Sequence, residues 1–305
     1  KKAYKLTNCR NSGSPYEAVL TTNIESKNIV YGGERELRGA IKEIEIKYSP
    51  EIIVIATSCA TGIIGDNVDD IIHSMRDEIK AEVLVIHCEG FSGEYHTGFD
   101  LVFRELVKLM KPPTAEGKRR FAHSVNIVGG KMGPERTEVD TDTKELIRLI
   151  KKMGADVNAV ITGGCTLEQL QNAPNAAVNC ALCMDIGYAV GKEMEKVFNT
   201  PLNSTVMPYG ISATCHWIRK AASYLHMEQE AETMLKEEYA AIEAEYEQSK
   251  NSLAGKIGLI EGHDAVKSLA IANMLEKDFA MKPIIYNFHP WSTEARKTSI
   301  DYLLE

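Results

Sequence analysis

Two short apolar runs, Ile52-Ile53-Val54-Ile55-Ala56 and Val83-Leu84-Val85-Ile86, each lead within a few residues to a cysteine, Cys59 and Cys88. Unbroken apolar runs of this kind suit strands covered on both faces rather than strands with one wet face. Between them, Val68 to Ile79 places apolar residues at helical spacing. Strand, helix, strand in this order predicts a parallel pair joined by a right-handed crossover. In open α/β sheets, sites form beyond the carboxyl ends of the strands. Two consecutive strands ending in Cys therefore point to function, although a buried cysteine also serves as a small hydrophobe.

The alternation extends along the chain. Tyr31-Gly32-Gly33 opens an amphipathic helix, Glu34 to Lys47, and Phe99 to Met110 is predicted helical. Pro112-Pro113 and the polar run Thr114 to Arg120 mark a boundary. The pattern restarts with strand Val125 to Val128, then Gly129-Gly130, helix Thr143 to Met153, strand Ala159 to Ile161, helix Met184 to Phe198 and a short strand, Ser204 to Met207. Ile211 to Lys250 reads as one long, charged, largely solvated helix leading out of this domain. A third unit follows: strand Ile257 to Ile260, helix Ala265 to Glu276 and strand Pro283 to Tyr286. The predicted class is α/β with parallel sheets. The predicted divisions are 1–120, 121–215, a connecting helix 216–254, and the start of a further domain at 255–305.

Composition narrows the function classes. The chain has 305 residues, 44% hydrophobic and 26% charged, which is ordinary for a globular protein. A net charge of -8 argues against a nucleic-acid footprint. No apolar run approaches the roughly 18 residues that span a bilayer, and no signal peptide is apparent, although the chain begins at Lys1 rather than Met. The seven cysteines (Cys9, Cys59, Cys88, Cys165, Cys180, Cys183 and Cys215) are sparse and odd in number, which does not suit a disulfide framework. The expectation is a reduced, cytoplasmic protein whose thiols are buried or bound to metal.

Among residues able to carry chemistry, Cys59 precedes a helix start, where partial positive charge favours a thiolate. That suits a nucleophile or a soft-metal ligand. Cys180 and Cys183 form Cys-Ala-Leu-Cys, which fits a redox pair, a metal pair or coincidence; the intervening Ala-Leu does not favour redox chemistry. His96 and Asp100 lie in a polar, Gly-flanked segment entering a helix. An imidazole there is either a proton donor near physiological pH or simply solvated. Gly129-Gly130 lacks the remainder of a dinucleotide fingerprint, and no Walker A motif exists to hold ATP.

Taken in order, these segments resemble the α-type subunit of the catalytic component of nitrogenase and its relatives. Ile29-Val30-Tyr31-Gly32-Gly33 is similar to that family's IVFGG segment, Cys59-Ala-Thr-Gly-Ile-Ile-Gly-Asp-Asn to its CPxxLIGDD segment, and Cys88-Glu89-Gly90-Phe91-Ser92-Gly93 to its CEGFxG segment. Val125 to Gly129 resembles the strand opening its second domain. Asn175 through Cys183 to Asn199-Thr200-Pro201 resembles the segment bearing the cofactor-ligating cysteine, and Pro208-Tyr209-Gly210 the segment after it. The resemblance runs from about Ile29 to His289.

The resemblance implies three Rossmann-like parallel-sheet domains, the first and third incomplete in this chain. It implies a P-cluster-type 8Fe-7S cluster at the interface with a β-type subunit, with Cys59 as a ligand, and a nitrogenase-type iron–sulfur cofactor of unknown heterometal held by Cys183. The remaining P-cluster cysteines are expected upstream of Lys1, since Cys9 is not in their motif, and the cofactor's His ligand downstream of Glu305. The family's cofactor-side Gln and proton-donating His fall on His96 and Asp100. Loss of that His points away from dinitrogen and toward a nitrogenase-like reductase, with cleavage of C–S bonds in methylthio-alkanes the favoured activity. Nitrogenase proper and a cofactor-assembly scaffold are the alternatives. The implied partners are a β-type subunit in an α2β2 complex, an ATP-dependent iron–sulfur reductase protein and a small-molecule substrate, with no nucleic acid and no membrane.

Overall fold

The computed structural model describes residues 4–5, 20–22, 24–93, 95–130, 141–161, 164–261 and 265–286. They form two compact units, one holding the described residues up to Leu109, the other those from Met110 onward. Cys9 lies outside the described residues.

The first unit runs β1 (Tyr4–Lys5), β2 (Leu20–Thr21), α1 (Ser26–Tyr31), α2 (Glu34–Tyr48), β3 (Ile52–Ala56), α3 (Cys59–Ile64), α4 (Val68–Ser74), β4 (Glu82–Ile86) and α5 (Tyr95–Lys108). β1 and β2 pair antiparallel. β3 and β4 pair in parallel, Ile52 opposite Glu82 through Ala56 opposite Ile86. One face of this pair, Ile53 and Ile55 with Val83 and Val85, packs on Ile41 of α2 and on Val68, Ile71 and Ile72 of α4. α5 packs on β4, with Phe103 and Val107 buried.

Two boundaries in this unit differ from expectation. The helix predicted over Val68 to Ile79 stops at Ser74 and gives way to a tight turn, Arg76–Glu78. Ser74 Oγ donates to the Ile71 carbonyl at 2.7 Å and Met75 N–H to that of Ile72 at 3.0 Å, closing the last turn on shorter bonds. α5 begins at Tyr95 instead of Phe99, so His96 is a helical residue like Asp100 and not part of a loop before the helix. Gly98 within a helix costs only about 1 kcal/mol, and Phe99 stacking on Phe103 at 6.1 Å holds the apolar face together.

The second unit runs α6 (Ala115–Arg120), β5 (Ser124–Val128), α7 (Thr141–Met153), β6 (Asp156–Ile161), α8 (Leu167–Asn172), β7 (Val178–Ala181), α9 (Met184–Phe198), β8 (Leu202–Asn203), α10 (Gly210–Leu225), α11 (Glu228–Leu253), β9 (Ile257–Glu261), α12 (Ala265–Asn273) and β10 (Lys282–Tyr286). The polar run after Pro113 is thus a short helix, capped by Thr114 Oγ1, which accepts the Gly117 N–H at 2.9 Å. Four strands form one all-parallel sheet in the order β6-β5-β7-β8. β9 and β10 form a separate parallel pair. The described residues are therefore α/β, with three parallel sheets beside the antiparallel β1–β2 pair.

The four-stranded sheet is covered on both faces. Val125, Ile127, Val178 and Cys180 pack on Leu146 and Ile150 of α7 and on Trp217 and Ile218 of α10. α8 and α9 pack on the sheet as well, over a row of buried asparagines. Asn158 Nδ2 donates to Asn126 Oδ1 at 2.9 Å, and Asn126 Nδ2 donates to Asn179 Oδ1 and the Ala173 carbonyl, both at 2.8 Å. Each amide satisfies its neighbour, as burial demands.

The long helix expected over Ile211 to Lys250 is two helices. The chain turns at His226, whose φ of 55° is left-handed, and whose N–H closes on the Ala222 carbonyl. α10 is a core helix and not a solvated one: Trp217, Ile218, Ala221, Ala222 and Leu225 recur at helical spacing and are buried. Two further boundaries move. The strand expected at Ser204 to Met207 is Leu202–Asn203, because the ladder from β7 ends at the Cys180–Asn203 pair. The α12 helix widens into a π-turn, Met274–Asp278, in place of a regular end at Glu276. The buried Asp278 carboxylate accepts the N–H groups of Ile211 at 2.8 Å and Ser212 at 3.2 Å, satisfying the start of α10.

Arg148 and Lys152 of α7 clasp Glu238 of α11 at 3.0 and 2.7 Å. Arg148 first, then Lys152, hold the Glu238 carboxyl down from 4.5 to about 2. A depressed carboxyl stabilises the fold above its ordinary value and loses that contribution as pH falls through the folded one. Glu238→Gln is therefore expected to lower stability at neutral pH by about 1 kcal/mol, the scale for a partly exposed network. The difference from wild type should fade between pH 4.5 and about 2, as read by thermal melts across that window.

Candidate functional site

In the first unit, β3 and β4 end side by side and Thr57 ties their loops together. Its N–H donates to the Ile86 carbonyl at 3.0 Å, and its Oγ1 donates to Glu89 Oε1 at 2.7 Å while accepting the Cys88 N–H at 3.2 Å. Ser58 then caps α3, accepting the Thr61 N–H. Cys59 is the first residue of α3, and its thiol is exposed. The Gly90 N–H points at Cys59 Sγ from 3.1 Å. A Cβ on Gly62 would come within 2.8 Å of Glu89 Cγ, so only glycine lets α3 sit this close to the turn that carries Gly90. The Cys88 thiol is committed inward, donating to the Thr57 carbonyl at 3.4 Å.

The charges around this turn are ordered. The Thr57 hydroxyl, and then the residue's own backbone N–H, hold the Glu89 carboxyl below its usual range, with His87 assisting. His87 Nε2 meets Asp69 Oδ2 of α4 at 2.7 Å. A cavity of about 350 Å³ opens beside the turn, lined by Cys88, Glu89, Ser92 and, from α5, Thr97 and Leu101. His96 and Asp100 are four residues apart on α5 and share a helix face. Asp100 is half-buried, and the His96 side chain lies outside the described residues.

In the second unit, Cys183 follows β7 and caps α9, with 1% of its surface exposed. The strand order places the ends of β5 and β7 where the sheet's winding reverses, the position at which doubly wound folds bind ligands. Gly129 after β5 has φ 84°, and a Cβ there would lie 2.7 Å from the Cys183 carbonyl. Gly187 N–H donates to that carbonyl at 2.6 Å. The two glycines bring α9 directly against the strand end. Cys180 lies within β7 and is wholly buried; burial pushes its thiol up to about 12.

The family described as nitrogenase component 1 type oxidoreductase matches residues 3–298. This chain belongs to that family. It is 29% identical over 262 residues to the nitrogenase iron-molybdenum cofactor biosynthesis protein NifE of Clostridium pasteurianum, covering 84% of this chain and 55% of that protein. It is 27% identical over 280 residues to the nitrogenase molybdenum-iron protein alpha chain of the same organism, covering 89% and 50%. The chain spans about half the length of these curated relatives. The solved structure titled nitrogenase Cp1 at pH 6.5 shares the fold, with a TM-score of 0.73 at 24% identity, covering 89% of this chain and 52% of that one. This is an α-type member of the nitrogenase component 1 superfamily.

Within this nitrogenase component 1 type chain, Cys59 meets the Cys88-Glu89-Gly90 turn, while Cys183 belongs to the other unit. Among the described residues, no group of three or more His, Cys, Asp and Glu side chains is placed to hold a metal ion by itself. Sequence reasoning missed Thr57 and Glu89, although both flank the cysteines it singled out. Cys165 follows β6, and burial pushes its thiol up. No described helix is long and apolar enough to cross a membrane.

Proposed function

We propose that the chain is the α-type subunit of a cytoplasmic, nitrogenase-like reductase that cleaves C–S bonds of methylthio-alkanes. The observation carrying this reading is the pair of thiols at strand ends: Cys59 exposed with a backbone N–H aimed at its sulfur, and Cys183 at the reversal point of its sheet. Thiolates in such settings suit iron–sulfur clusters. Cys59 would contribute to a P-cluster-type 8Fe-7S cluster shared with a β-type subunit, and Cys183 would hold a nitrogenase-type cofactor. The bound cofactor would supply the electrons, delivered by an ATP-dependent iron–sulfur reductase protein. Two electrons and two protons convert a thioether R–S–CH3 to R–H and CH3SH.

The protons are this chain's task. His96 is proposed to deliver them, with Asp100 one turn away on the same helix face as its orienting partner. Asp100 standing where the family resemblance expects a proton-donating His supports a substrate other than dinitrogen. His96→Ala is expected to cut turnover by roughly 100-fold or more while metal content stays at the wild-type level. Unaltered turnover across the active pH range removes His96 from the mechanism.

Likeness to a protein named for cofactor biosynthesis favours one second reading, an assembly scaffold without turnover. The deciding experiment supplies the anaerobically purified complex with reductase protein and ATP, then offers methyl thioethers, acetylene and dinitrogen in turn. Methanethiol release is the expected result. Ammonia without methanethiol would indicate nitrogenase proper, and an iron-loaded but inert complex the scaffold.

A further inference from the structure

We propose that Glu89 is a positioning residue for Cys59: its carboxylate, anchored on Thr57, holds the turn that aims the Gly90 N–H at the cysteine sulfur. This rests on the reading of Cys59 as a metal thiolate only for what the hydrogen bond would tune.

The two carboxylate oxygens do different jobs. Oε1 takes the Thr57 hydroxyl at 2.7 Å and so fixes the turn to the end of β3. Oε2 takes the Ser92 hydroxyl at 3.4 Å, on the far side of the turn, where the Ser92 N–H also closes on the Glu89 carbonyl at 2.8 Å. On the near side, the Cys88 N–H rests on the Thr57 oxygen at 3.2 Å, and His87 is tied to Asp69 of α4. Gly90 sits between these anchors. Among the described residues its amide donates to Cys59 Sγ at 3.1 Å. A Cβ on Gly90 would approach that sulfur to 3.3 Å, so the contact depends on a bare backbone held in register. An N–H donated to sulfur stabilises the thiolate and, on a metal-bound thiolate, raises the reduction potential. Thr57 is buried and Glu89 largely covered, so the anchor is not a solvated surface contact.

Iodoacetamide alkylation of Cys59 tests this in the full-length chain expressed metal-free, with the modified peptide followed by mass spectrometry at neutral pH. Thr57→Val removes the anchor without changing charge, and should slow alkylation roughly tenfold, the scale of one hydrogen bond to a charged group. Glu89→Ala should be slow as well. Glu89→Gln, which keeps an acceptor for Thr57 and loses only the charge, should react no more slowly than wild type, as should Thr57→Ser. Wild-type rates in Thr57→Val, or equal rates in Glu89→Ala and Glu89→Gln, would overturn the proposal. A second arm uses the assembled complex: the midpoint potential of the Cys59-side cluster should become more negative in Thr57→Val with iron per chain retained. Absence of iron at Cys59 in the wild-type complex would overturn the cluster reading, while the alkylation series still decides the role of Glu89.

Discussion

Cys183→Ala is expected to lose the catalytic cofactor and lower turnover by at least about 100-fold, whereas Cys180→Ala keeps both. The two thiols differ in setting, not chemistry. Cys180 is a β7 residue facing the core formed with α7 and α10, wholly buried, with Asn203 Nδ2 at 3.8 Å from its sulfur. Burial pushes its thiol up to about 12, which disfavours the thiolate form. Its loss leaves a small cavity and should cost about 1 to 2 kcal/mol of stability. Cys183 stands past the strand end, at the reversal of the sheet, where its carbonyl accepts the Gly187 N–H. Elemental analysis of the purified complexes reads the outcome. Metal lost from Cys180→Ala and kept in Cys183→Ala would move the ligand three residues back, into β7.

Cys59→Ala is expected to lose iron of the inter-subunit cluster and stop electron delivery, while the cofactor at Cys183 stays. The thiol is exposed and, among the described residues, accepts the Gly90 N–H. Removing it should therefore change the melting behaviour of the chain by no more than about 0.5 kcal/mol, as for other surface positions. Near-total loss of turnover with an unchanged fold separates a ligand from a structural cysteine. Iron per complex and electron paramagnetic resonance of the reduced state make the measurement. A full iron complement in Cys59→Ala would remove this residue from the cluster.

The strand–helix alternation was legible wherever strands were continuous and apolar. Ile52–Ala56 and the Met184–Phe198 helix stand where the residue pattern puts them. β7 was not legible, because Val178-Asn179-Cys180-Ala181 joins a polar residue to a single β-branched one, whereas Val125-Asn126-Ile127-Val128 keeps three β-branched residues around its asparagine. Asn179 is tolerated because Asn126 Nδ2 on the neighbouring β5 donates to its Oδ1 and its own Nδ2 donates to the Thr200 carbonyl, a condition that needs the sheet already formed. The break at His226 was hidden for a related reason: an Ala- and Glu-rich sequence propagates a helix well, and the stop is set by packing of α10 into the core. For the site, the cysteines could be read from the chain, whereas Thr57 and Glu89 gain their meaning from a contact between two strand ends that are 32 residues apart in sequence.

The most direct test of the account is an anomalous difference map, recorded at the iron absorption edge, from crystals of the anaerobically purified complex. The account predicts iron bonded to Cys59 Sγ and to Cys183 Sγ, with the Gly90 N–H still directed at the former. A map with no iron within bonding distance of either sulfur, both thiols meeting only protein, would contradict it.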